Sequence, residues 1–93
     1  MTKLETFREA CAAAEDAPTA KYVAASQAMV EAYNDFKKEP DAIEQALTLV
    51  DDPNPMVRYM VAVVIRPAHR ERADEMFKTI AAGSGTASLW ASI

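Results

Sequence analysis

The chain has 93 residues, of which 51% are hydrophobic and 26% charged, the balance of a packed globular fold and not of a disordered segment. Its formal net charge of −4 supplies no overall positive field to gather phosphates, which argues against a nucleic-acid partner. The single cysteine, Cys11, excludes an internal disulfide, and with no signal-like or membrane-spanning apolar stretch the expectation is a soluble, cytoplasmic protein with no membrane partner.

Thr2 and Glu5 have the spacing of a capping box, so a first helix is predicted to run to about Asp16. Leu4, Phe7, Cys11 and Ala14 recur at steps of three and four and form its buried stripe. Pro18 interrupts the pattern, and Thr19 is placed to cap a second helix reaching about Lys38, with Tyr22, Ala25, Met29, Ala32 and Phe36 on its main stripe and Tyr33 beside it. Pro40 ends that helix. Asp41 and Glu44 repeat the capping-box spacing ahead of a short third helix that turns Ile43, Ala46, Leu47 and Val50 inward.

After the breaker Asp51-Asp52-Pro53-Asn54-Pro55, the run from Tyr59 to Ile65 contains no polar residue and is rich in valine. Beta-branched residues suit a pleated strand, and an unbroken apolar run fits a strand covered on both faces. Tyr59, Val61, Val63 and Ile65 are therefore the expected pairing strand. No second strand is evident, and buried backbone groups without partners cost about 1–3 kcal/mol each, so the strand would require pairing from outside the chain. Asn54 as a cap and Pro55 at a first helical position keep a helical alternative open, with Val57, Val61, Val64 and Ile65 on one face. A last amphipathic helix is expected from about Ala68 to Ala82, burying Ala73, Met76, Phe77 and Ile80 and stopping at Gly83-Ser84-Gly85. Residues 1–85 thus form one segment of about four helices and one strand, and the tail 86–93, with Leu89 and Trp90, has no firm expected structure.

The stretch Asp52-Pro53-Asn54-Pro55-Met56-Val57-Arg58-Tyr59-Met60-Val61 resembles the closing motif of the short-chain dehydrogenase/reductase family, where a proline turn leads into the last strand of the sheet. Residues 39–47 are similar to the helix before that strand, and Lys21 to Phe36 to the variable helices over the substrate. The resemblance covers roughly residues 18–82 and implies the C-terminal segment of an α/β Rossmann-like domain. Such a segment would not be catalytic alone. NAD or NADP would be the cofactor of the whole enzyme, held by a cofactor-binding partner not in this chain. Tyr22, Met29, Tyr33 and Phe36 would belong to the substrate lid.

The family's glycine-rich turn and its serine, tyrosine and lysine set have no counterpart here. Tyr33 and Lys37 match only the tyrosine-lysine spacing, and Ala62 stands where many members have glycine. The same 52–59 stretch after an amphipathic helix is also similar to one HEAT-type hairpin, which would make 41–65 helical, although no second copy recurs at a period of about 40–47 residues. That similarity implies a small acidic helical module for protein interaction or dimerisation. The unpaired strand implies association, with another copy or with a larger sheet on a missing partner, and the rival module would dimerise through Tyr59–Ile65 or pack a helical surface on a partner.

No catalytic or metal-ligating residue stands out. His69 has no accompanying nitrogen or sulfur ligand, and Cys11 sits on an apolar stripe where a thiol packs as a small hydrophobe. Arg58, Arg66, Arg70 and Arg72 could hold an anionic ligand, or could offset Glu71, Asp74 and Glu75 along a solvated helix. Gly83 and Gly85 read as a helix stop and not as a phosphate cradle.

Overall fold

The computed structural model describes all residues 1–93, and they form six α-helices with no strand. Helix α1 (Lys3–Asp16) opens with the expected capping box: the Glu5 amide donates to Thr2 Oγ1 at 3.1 Å and the Thr2 amide donates to Glu5 Oε1 at 3.1 Å. Those bonds, the backbone one first, hold the Glu5 carboxyl below its ordinary pKa. Phe7, Cys11 and Ala14 are buried along one stripe of this helix, as their spacing predicts.

The second helix differs at both ends from its sequence pattern. Thr19–Lys21 make a separate 3-10 turn, and α2 runs Tyr22–Phe36 with Lys21 at the N-cap and no side-chain cap. Met29 and Phe36 are its buried residues, and the Phe36 ring stacks on Phe7 at 4.8 Å, joining α2 to α1. Helix α3 (Ala42–Leu47) is short, and the capping box expected of Asp41 and Glu44 does not form. Asp41 Oδ1 instead accepts from Gln45 Nε2 at 2.6 Å, a side-chain bond within the same turn.

The pairing strand expected at Tyr59, Val61, Val63 and Ile65 is a helix, α4 (Pro55–Ile65), so the chain is all-α and not mainly α with one strand of an α/β sheet. Its start is specified locally. Asn54 Oδ1 accepts from the amides of Met56 at 2.9 Å and Val57 at 3.3 Å, while Pro55 occupies the first turn, where its missing donor costs nothing. Asn54 is in turn set by Asp52, whose carboxylate accepts the Asn54 amide at 2.9 Å and the Arg8 guanidinium at 2.8 and 3.3 Å. The Asp52 side chain is only 6% exposed, and this bond, then its charge, raises the Arg8 pKa. The turn before α4 is thereby clamped to α1.

A helix with Arg58 as its one charged residue must be covered over most of its surface. α1, α3, α5 and α6 all pack against α4, and seven of its eleven residues are buried. Positions that would share one face of a strand, at a spacing of two, separate on a helix: Val61 and Ile65 are buried in the core, while Tyr59 and Val63 are half-buried. Its backbone groups bond within the helix, so the need for an external strand disappears. With it goes the element that carried the dehydrogenase resemblance.

Helix α5 (Arg70–Ala81) buries Ala73 and Ile80 and leaves Met76 and Phe77 half-buried. Residues of the tail form a sixth helix, α6 (Thr86–Ala91), whose first turn is capped from far away in the chain. Glu15 at the end of α1 accepts the amides of Thr86 at 3.1 Å and Ala87 at 2.8 Å. Ser88 Oγ donates toward the carbonyls of Gly83 at 3.0 Å and Ala81 at 3.3 Å, fastening the end of α5 to α6.

Cys11 lies fully buried between these helices, and burial, with a smaller effect of the Asp52 charge, pushes its thiol pKa up to about 12 from an ordinary 9.0. An acid whose folded pKa is raised favours folding fully below its unfolded pKa, and that contribution is lost as pH climbs from about 9 to about 12. At pH 8, alkylation of the native protein by iodoacetamide is expected to be at least about 100-fold slower than that of free cysteine, and to become fast in urea. Mass spectrometry of timed samples checks this; rapid labelling without denaturant would contradict the packing of Cys11.

Candidate functional site

The four side chains assigned to a substrate lid do not share one surface. Met29 and Phe36 are fully buried in the core. Tyr22 and Tyr33 are half-buried and open on different depressions: Tyr22 beside α6, and Tyr33 beside α3 and the end of α4. Lys37 sits over the Tyr33 ring, 4.9 Å from its centroid, a cation-π contact.

The face between α2 and α6 carries two exposed valines beside Trp90. Helical spacing puts Val23 and Val30 seven residues apart on the outer side of α2, where they are 65% and 42% exposed. With Tyr22, Ser26, Gln27, Glu31 and Trp90 they line a shallow depression of about 580 Å³. Trp90 is placed by two neighbours. Its Nε1 donates to the Tyr22 hydroxyl at 2.6 Å, and its ring meets the edge of Tyr59 at 5.8 Å. Tyr59 also packs edge-on against Phe77 at 5.3 Å, and burial raises its phenol pKa.

One carboxylate, Glu31, is the only charged group in this lining, and Ser26 Oγ is buried there without a hydrogen-bond partner. Leu89, next to Trp90, is a further 70% exposed. Val23, Val30 and Trp90 are thus the members that attention to the inward stripe overlooks. Their signal is weak but present: two valines at a seven-residue spacing on the face opposite the core stripe.

The arginines do not act as one cluster. Arg58 Nη1 donates to the Asp52 carbonyl at 3.0 Å, while Arg66 and Arg70 share Asp74 at 3.1 and 4.0 Å. Arg72 lines a cleft with Arg58, Asp51 and Glu75, apart from the Arg66–Arg70 pair. His69 is exposed at the start of α5, and no group of three or more His, Cys, Asp or Glu side chains is close enough to hold a metal ion. No helix is long and apolar enough to cross a membrane.

No family model, no curated protein and no solved structure matches this chain.

Proposed function

We propose that this chain is a small acidic helical interaction module that self-associates through the α2–α6 face. The observation that carries this reading is the exposure of Val23 and Val30 beside the Tyr22–Trp90 pair on a surface with a single charge. Dimerisation through the Tyr59–Ile65 run is set aside, because that run is helical and five of its seven residues are buried.

The occupant favoured for this face is a second copy. Val23 and Val30 lie equally far on either side of the Ser26–Gln27 peptide, so two antiparallel α2 helices related by a two-fold axis there would set Val23 of one copy beside Val30 of the other. The two Glu31 carboxylates would then fall about 13 Å apart along the helix axes, too far for strong repulsion in water. A helix of 15 residues is about 22 Å long and offers less than the roughly 800 Å² per partner of a standard interface. An interface of that size belongs with the weak, transient associations.

Sedimentation velocity over a concentration series tests this. The expected result is a rise in sedimentation coefficient with concentration that Val30→Asp abolishes, while the helical circular dichroism of the variant stays unchanged because Val30 lies outside the core. A chain that stays monomeric at millimolar concentration removes the proposal.

A further inference from the structure

We infer that a second surface, over the C-terminal end of α4, binds an acidic peptide segment bearing bulky apolar side chains. Two clefts there share Val63 and Pro67 in their linings. One is completed by Arg66, Arg70 and Phe77, the other by Tyr33, Lys37, Lys38 and residues of α3 and α4. Neither lining contains a carboxylate, although the chain carries a net charge of −4. Four of its ten lysines and arginines are gathered around an apolar floor.

Helix stability explains part of this gathering. Lys37 and Arg66 sit at the C-caps of α2 and α4, where a cation suits the helix dipole. It does not explain Arg70. That residue is the first of α5, the end at which a cation is disfavoured, and its i,i+4 pairing with Asp74 puts the base before the acid, the weaker order. Asp74 neutralises one of the two arginines, and Lys37 and Lys38 take part in no ion pair, so the region keeps a positive balance. Glu39 and Glu44 line the adjoining cleft beside Lys37 and bound the surface on that side.

Carboxylates with apolar anchors complement cations around Val63, Phe77 and Tyr33. A long polyanion does not, because the rest of the chain repels it. This site shares no lining residue with the α2–α6 face and does not rest on self-association.

Fluorescence anisotropy with a labelled leucine-glutamate helical peptide tests it, against the same peptide with lysine for glutamate. The acidic peptide is expected to bind, more weakly as sodium chloride is raised, and the lysine peptide is expected not to. Arg70→Glu, and separately Lys37→Glu/Lys38→Glu, are expected to weaken binding about ten-fold or more, with Lys78→Glu neutral. A carboxylate at the start of α5 suits the helix dipole but faces Asp74 at i+4, so unchanged helical circular dichroism of Arg70→Glu separates lost binding from a folding defect. Val30→Asp is expected to leave peptide binding intact, which separates this inference from the dimer. Equal binding of both peptides, indifference to Arg70→Glu, or the same sensitivity only with a single-stranded oligonucleotide or anionic vesicles would overturn it.

Discussion

Phe7→Ala is expected to destabilise the fold by about 3–5 kcal/mol, the cost of emptying a buried aromatic site that cannot collapse. Phe7 is fully buried, and its ring lies nearly parallel to Phe36, with an interplanar angle of 17° and a centroid separation of 4.8 Å. The pair joins α1 and α2 within an apolar core that also holds Cys11, Ala14 and Met29, and the only polar side-chain contact between those helices is the exposed Lys3–Asp35 pair. A chain of this size has about 5–15 kcal/mol of stability in all, so the melting temperature should fall by more than about 12 °C. Phe36→Ala should cost a similar amount, and the double variant should cost less than the sum, because the second truncation removes a ring that has already lost its partner. Thermal denaturation followed by circular dichroism measures all three. A loss under about 1 kcal/mol in Phe7→Ala would mean that the two helices are not held by this pair.

Gly85→Ala is expected to cost about 2–4 kcal/mol, combining an unfavourable backbone conformation with loss of a helix cap. Gly85 has φ 99° and ψ −173°, a region open almost only to glycine. A Cβ added there would stand 2.5 Å from Glu15 Oε2, the oxygen that accepts the Thr86 amide. The substitution therefore strains its own residue and displaces the carboxylate that fastens α6 to α1. Gly83→Ala is the control, since its Cβ would meet only the Ile80 carbonyl at 3.4 Å, and it should cost under about 1 kcal/mol. Adding Glu15→Ala to Gly85→Ala should cost less than it does alone, because the cap has already been lost. Urea denaturation midpoints decide between these outcomes: equal losses at Gly83 and Gly85 would remove the backbone argument, and an additive Glu15→Ala/Gly85→Ala pair would remove the coupling.

Much of the helical framework was legible before any coordinates. Thr2 with Glu5, the stripe Phe7–Cys11–Ala14, and the proline and glycine breaks locate α1, α2, α3 and α5 to within a few residues, because these signals act within one or two turns of the chain. The candidate face was less legible. Periodicity ranks residues by how well they fit a core, so it singled out Met29 and Phe36, which are core, and passed over Val23 and Val30, which are not. Trp90 gains its place from Tyr22, 68 residues earlier, and no local pattern announces such a pairing.

By itself the sequence determines a helical, acidic chain with defined caps and breaks, since capping, proline geometry and three-to-four spacing are local properties of consecutive residues. The tertiary structure decides two things. Asn54 and Pro55 offer the run Tyr59–Ile65 a helix start, but an unbroken apolar segment also suits a strand covered on two faces, and the packing of four other helices around it settles the helix. The tail becomes α6 because Glu15, more than 70 residues away, accepts the amides that begin it.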